Sequence, residues 1–231
     1  MSVLGRPHAH YRLIDSTNER AKELARGGAP HGTLVTADEQ SAGRGRQGRP
    51  WSAPARSALL MSLVVRDPGE LLPLAAAVAV CDACDPLPCR IKWPNDVWLD
   101  RRKLAGILVE GRPQEGWAVL GIGLNVSSAP ADLPATDLKR HDPEASTDAV
   151  LKRLLAALER NLTEQPAAVL ASWRARDALH GLTISWDGGE GVAAGIDDSG
   201  ALLVDAKAGR VALDAGEVHL GRVPDQAGRG S

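Results

Sequence analysis

The chain has no apolar run of the roughly eighteen residues that a membrane-spanning helix needs, and no charged-then-apolar leader opens it. Both absences imply a protein that stays where it is made, in the cytoplasm. Nor does one sign of charge dominate: 27 Lys and Arg against 29 Asp and Glu leave a net charge of −2. That balance excludes a general affinity for nucleic acid or acidic membranes and makes any local basic cluster a site for a small anion. Cysteine is scarce, at three in 231 residues, and a small odd number argues against a disulfide framework. Cys81 and Cys84 belong with the alanine-rich run 74–82. With only Cys89 nearby and no histidine close in sequence, they read as small buried helix residues rather than zinc ligands. Lysine is scarce beside arginine, six of the 27 basic residues. Where arginine is the ready cation, a lysine inside an expected strand marks a need for a compact ammonium; Lys92 and Lys103 are such lysines.

What the chain does have is the stretch Gly43-Arg44-Gly45-Arg46-Gln47-Gly48-Arg49-Pro50-Trp51. Guanidiniums supply permanent charge and a planar fork of donors for carboxylate or phosphate, and glycines between them let backbone N–H groups approach the same anion. A solvated basic turn has no need of glycine at alternate positions. The stretch also spells G-x-G-x-x-G, but a dinucleotide fingerprint needs a strand directly before it and a helix opening at it. Here Asp38-Glu39-Gln40-Ser41-Ala42 separates it from the short apolar run 33–37, and Pro50 and Pro54 follow. The loop therefore runs into extended chain.

At this length the chain can bury one large domain, or a medium domain and a small one. Ser16 and Glu19 have capping-box spacing at the start of a helix over 17–26, which Gly27-Gly28 ends. Residues 58–65 read as a buried strand and 71–82 as a helix. Strands over 89–93, 97–99, 103–110 and 117–126 form an antiparallel meander, its interior glycines at 106, 121 and 123 marking close approach to the backbone. After a loop over 127–143, Ser146 caps a helix reaching about 162, and Pro166 opens another running to about 179. Beyond Gly181 come short strands at 182–186, 192–196, 201–205, 210–214 and 217–220, a small β-barrel, and a frayed tail over 224–231.

Five segments occur in order: Asp15-Ser16-Thr17-Asn18, the stretch from Glu39 to Arg49, Lys92-Trp93-Pro94-Asn95-Asp96, Lys103-Leu104-Ala105-Gly106-Ile107-Leu108 and Gly121-Ile122-Gly123-Leu124-Asn125. Together they resemble the biotin protein ligases, the biotin–[acetyl-CoA-carboxylase] ligase family, over nearly the whole chain. The resemblance implies an α+β fold: a mixed-sheet catalytic domain of the class II aminoacyl-tRNA synthetase and biotin synthetase type over 1–178, then an SH3-like barrel over 179–231. It implies ATP and biotin as substrates with Mg2+, and a biotinyl-5′-AMP intermediate. The partner it implies is a biotin carboxyl carrier domain, with no role for DNA or membrane and with monomer and homodimer both open. Because the first motif begins at Asp15, no winged-helix DNA-binding domain is expected ahead of it.

By motif match, Ser16, Thr17, Asn18, Gln40, Gly43 and Arg44 face biotin. Gly45 and Arg46 close over the adenylate, and Lys103 meets the carboxylate. Gly106, Gly121 and Gly123 give the flat bicycle room. Trp51 resembles the aromatic that packs on adenine, and Arg46, Arg49, Lys92, Asn95 and Asn125 complete the nucleotide set. Arg44, Lys92 and Lys103 are the catalytic cations, since bringing a carboxylate to an α-phosphate joins two anions. Trp93 and Trp98 are expected in the core, and Asp96 as either a magnesium ligand or a turn cap. Gln47 stands where many relatives carry arginine, which softens retention of the adenylate. The rival readings are a lipoate–protein ligase, against which the spelling from Gly43 to Arg49 argues, and a non-catalytic biotin or adenylate sensor, against which the presence of both lysines argues.

Overall fold

The computed structural model describes residues 4–131 and 133–220; the tail expected over 224–231 lies outside the described residues. The chain divides into two compact units between Ala178 and Leu179. The first holds β1 (His8–Tyr11), α1 (Thr17–Arg26), β2 (Leu34–Ala37), β3 (Ala58–Arg66), α2 (Leu72–Ala83), β4 (Arg90–Lys92), β5 (Asp96–Leu99), β6 (Arg102–Arg112), β7 (Trp117–Asn125), α3 (Thr147–Leu162) and α4 (Pro166–Arg174). Its seven strands form one sheet in the order β1-β2-β3-β7-β6-β5-β4. Only β1 and β2 run parallel and every other pair is antiparallel, so the sheet is mixed.

The apolar run of β3 is buried along its length, as a central strand covered on both faces must be. Helix α1 covers one part of the sheet through Ala21 and Ala25, which pack with Val35, Val64, Trp117 and Val119. Helix α2 is apolar all round and buried from Leu72 to Ala83 apart from Pro73 and Asp82, the pattern of a helix enclosed between layers. It packs on α3 and α4. Cys81, Cys84 and Cys89 are all free and buried there, and burial pushes the Cys81 thiol above its ordinary range.

The second unit is an antiparallel sheet in the order β11-β10-β9-β8-β12, formed by β8 (Thr183–Trp186), β9 (Gly189–Ile196), β10 (Leu202–Ala206), β11 (Gly209–Leu213) and β12 (His219–Leu220). Ile184, Ala193, Ile196, Leu202, Val204 and Val218 are its core. It is the small C-terminal β domain of an α+β protein.

Three local features differ from expectation. The capping box does not form: the Ser16 side chain makes no cap bond, and Glu19 turns away to Lys22 and Arg44, because two cations outcompete one backbone N–H for a carboxylate. Helix α4 stops at Arg174 rather than near 179. The following residues bridge to β4 instead, with Ile91 N–H donating to Arg176 O and Ala178 N–H to Ile91 O. Strand β1 was not expected; at four residues with half its positions exposed, it carries too little apolar alternation to read from sequence.

Candidate active site

Strand register builds the floor of the site. Directly opposed residues of antiparallel strands share a face, and the pairs Leu60↔Gly123, Gly123↔Gly106, Gly106↔Asp96 and Asp96↔Lys92 draw one row across β3, β7, β6, β5 and β4. A second row, Ser62↔Gly121↔Leu108, lies beside it. Lys103 joins this face through a bulge. It pairs with Trp98 while Gly106, three residues on, pairs with Asp96; Trp98 and Asp96 are two apart and share a face, so the bulge has slipped the alternation of β6 by one.

The glycines of these rows are places where side chains of other segments lie on the backbone. A Cβ at Gly123 would run into the Trp51 indole, and one at Gly106 would lie 3.0 Å from the same ring. At Gly121 a Cβ would collide with the Asn18 carboxamide. The room expected for the biotin bicycle at Gly106, Gly121 and Gly123 is therefore taken up, in this structure, by the protein's own Trp51 and Asn18.

The N-terminus of α1 forms a neutral polar wall. Gln40 Oε1 accepts from Thr17 N–H at 2.7 Å and from the Thr17 hydroxyl at 2.9 Å. The Ser62 hydroxyl lies 2.6 Å from Asn18 Oδ1 and 2.8 Å from Thr17 Oγ1. Ser16, Thr17, Asn18 and Ser62 are all buried. Gly43 is buried at the mouth of the loop, its carbonyl accepting from Trp51 N–H at 2.9 Å, so the basic stretch doubles back on itself. Gly45 N–H donates to Arg49 O at 2.7 Å, and a single 3-10 turn, Arg46–Gly48, fills the tip. Gln47 there has φ +55°, a left-handed backbone that suits glutamine no better than arginine.

The expected cations fall into two groups. Arg44 pairs with Glu19 and Glu110, beside Lys22. Lys103, Lys92 and Arg46 gather around Asp96, with Arg49 near the last two. Lys103 Nζ lies 2.6 Å from Asp96 Oδ1 and 5.6 Å from the centre of the Trp51 ring. Lys92 stands over Trp98 at 5.3 Å; burial, together with Lys103 and Arg49, pushes its ammonium below the ordinary lysine range, while Asp96 pulls it back. Burial likewise lowers Arg46, against Asp96 and with Arg49, and Arg46 Nη1 reaches Asn95 Oδ1 at 3.5 Å. Asp96 thus serves as the ion-pair partner of Lys103, a role outside both of its expected ones. Trp93 is core, 2% exposed, but Trp98 is half-buried and supports Lys92.

Among the described residues, the Trp51 indole nitrogen and Asn125 Oδ1 are buried on this face without a hydrogen bond, while Asp96 Oδ1, buried beside them, is held by its ion pair with Lys103. Asn125 Nδ2 is spent on Thr136 O at 3.1 Å, so its oxygen is the end left for a ligand. The structure also adds residues that sequence reasoning missed. Ser62 was legible as the one hydroxyl in an apolar strand. Glu110 was legible only by counting four residues from Gly106 along one face of β6, and Lys22 not at all.

A family model described as the biotin/lipoate A/B protein ligase family matches residues 10–127, and one described as the biotin protein ligase C terminal domain matches residues 190–221. The chain is 36% identical to the biotin–[acetyl-CoA-carboxylase] ligase of Mycobacterium tuberculosis over 89% of this chain and 86% of the relative. It is 38% identical to the ligase of the same description from Paracoccus denitrificans over 90% and 98%. Against the bifunctional ligase/repressor BirA of Bacillus subtilis the identity is 33% over 95% of this chain and 75% of the relative. The biotin protein ligase of Aquifex aeolicus, solved in complex with biotin and ATP, superposes with a TM-score of 0.82 at 26% identity, covering 94% of this chain and all of that one. Matches that run through both units at such identity, on a face that sets a neutral polar wall beside a cluster of cations, leave one assignment: the chain belongs to the biotin protein ligase family.

Proposed function

We propose that this chain attaches biotin to a lysine of a carboxylase's biotin carboxyl carrier domain, at the expense of ATP and through biotinyl-5′-AMP. One observation carries the reading: Lys103 pairs with Asp96 beside Trp51, Arg46 and Lys92 act on the same carboxylate, and Arg49 stands close enough to both to lower their pKa. Three cations on one acid leave a local positive excess in a chain whose net charge is −2, which suits a polyanion and the carboxylate it must meet.

In this reading the ureido head of biotin lies against Ser16, Thr17, Asn18 and Gln40, which are neutral donors and acceptors as a neutral head requires. Lys103 offsets the biotin carboxylate as it attacks the α-phosphate. Lys92, Arg46 and Arg49 offset the phosphates, Trp51 packs on adenine, and Asn95 and Asn125 fix the nucleotide. Bound to ATP, magnesium would supply further charge neutralisation for the leaving pyrophosphate. All of these groups come from one chain, so monomer and homodimer present the site equally, and neither DNA nor membrane has a part in it.

The test supplies the protein with ATP, magnesium and either biotin or lipoate, then weighs an acceptor domain by mass spectrometry. A gain of one biotin supports the proposal. A gain of lipoate instead makes the chain a lipoate ligase, and the absence of both transfer and pyrophosphate release makes it a sensor.

A further inference from the structure

Glu110 lies on β6 four residues beyond Gly106 and on the same face, opposite Val119 of β7. Its side chain is 22% exposed, and no role has yet been given to it. Oε2 accepts from Asn18 Nδ2 at 2.9 Å. Oε1 accepts from Lys22 Nζ at 3.2 Å and pairs with Arg44 Nη2 at 3.6 Å. Glu19 Oε1 closes the network by accepting from Lys22 Nζ at 2.8 Å and from Arg44 Nη1. Two carboxylates, two cations and one carboxamide are thereby satisfied together, on both sides of the pocket wall.

A carboxamide has two ends, and which faces the pocket is set by its neighbours. An ionised carboxylate only accepts, so the Asn18 amino group must face Glu110. Asn18 Oδ1 is then left to the Ser62 hydroxyl, 2.6 Å away. The same carboxylate draws Arg44, and with it the entrance of the basic loop, toward α1. We infer that Glu110 is a positioning residue for biotin: it fixes the orientation of the Asn18 carboxamide and holds Arg44 at the pocket, so that one charge couples the wall to the loop. The inference rests on the function proposed above, with Asn18 and Arg44 as biotin contacts.

Calorimetry of biotin and of ATP, each added to the free protein, tests it in the wild type, Glu110→Gln and Glu110→Ala, with a thermal melt of each. Glutamine can still accept from Asn18 but cannot hold Arg44; alanine can do neither. Biotin affinity should fall about tenfold in Glu110→Gln and further in Glu110→Ala, since each lost bond is to a charged group. ATP affinity should stay within about twofold, because Glu19 still pairs with Arg44 and keeps the loop entrance in place, and the melts should stay cooperative. In turnover the change should fall on the KM for biotin far more than on kcat. Equal weakening of biotin and ATP would show that Glu110 merely supports the fold. Wild-type biotin affinity in Glu110→Ala would overturn the inference alone, whereas a wild-type protein that takes up no biotin overturns the proposed function and the inference with it.

Discussion

Lys103 owes its position to a slip in the β-ladder: without the bulge between β5 and β6 its ammonium would point through the sheet to the side of buried Ala105. The bulge sets it 2.6 Å from Asp96 and over Trp51, where it can offset a substrate carboxylate. Lys103→Ala should therefore fold normally and lose adenylate synthesis by about 100-fold or more, the usual cost of removing a charge-stabilising group from a dry site. Pyrophosphate release near the wild-type rate would show the lysine to be structural. Gly123→Ala probes the neighbouring contact. The new methyl would displace the Trp51 indole, and overpacking of this kind costs roughly 1–3 kcal/mol. ATP should bind correspondingly more weakly by calorimetry; unchanged ATP affinity would mean that Trp51 is not the surface for adenine. Lys103, Trp51 and Gly123 were legible because motif spelling marks them. Ser62 and Glu110 carry a fainter signal, a lone hydroxyl in an apolar strand and a count along one face of β6, which becomes significant only once register shows what faces them.

At the scale of elements, the basic loop depends on partners outside its own sequence. Arginines interleaved with glycines promise mutual repulsion and little to hold a fixed path. The anchors come from elsewhere, from Glu19 on α1 and Glu110 on β6, and no reading of the loop alone contains them. Arg46 is a different case, since its partners Asn95 and Asp96 flank the cation cluster, and as part of a lid it should act on the product more than on its formation. Arg46→Gly is expected to release biotinyl-5′-AMP early and to biotinylate bystander lysines on unrelated proteins; an adenylate dissociation rate equal to the wild type would remove the lid assignment. Glu19 gives the α1 end of the anchor a pH signature. A hydrogen bond from Lys22, aided by Arg44, holds its carboxyl below the ordinary 4.5. For a lowered acid the stabilisation is full above the ordinary value and is lost as pH falls through the lowered one. The difference in melting temperature between wild type and Glu19→Gln should close on acidification, and a gap that ignores pH would assign Glu19 to packing alone.

For the whole molecule, hydrophobic periodicity made the meander of β4 to β7 and the enclosed helix α2 legible, because each is long or strongly patterned. The parallel strand β1 and the early end of α4 were hidden, because both are decided by pairing across the fold: β1 with β2, and residues 176–178 with Ile91. The same long-range wiring bears on how substrates arrive. The loop that carries Arg46 and leads to Trp51 begins at Gly43 and Arg44, beside the wall proposed for biotin. Biotin bound at that wall would fix the loop's first residues and with them part of the ATP site, so binding should be ordered, biotin before ATP, and biotin should slow amide exchange across residues 43–49. Coupling between two sites is reciprocal: whatever factor biotin contributes to ATP affinity, ATP must return to biotin. Calorimetry in both orders measures that factor twice, and ATP binding as tightly to the free protein as to the biotin complex would show that the loop transmits nothing between the two sites.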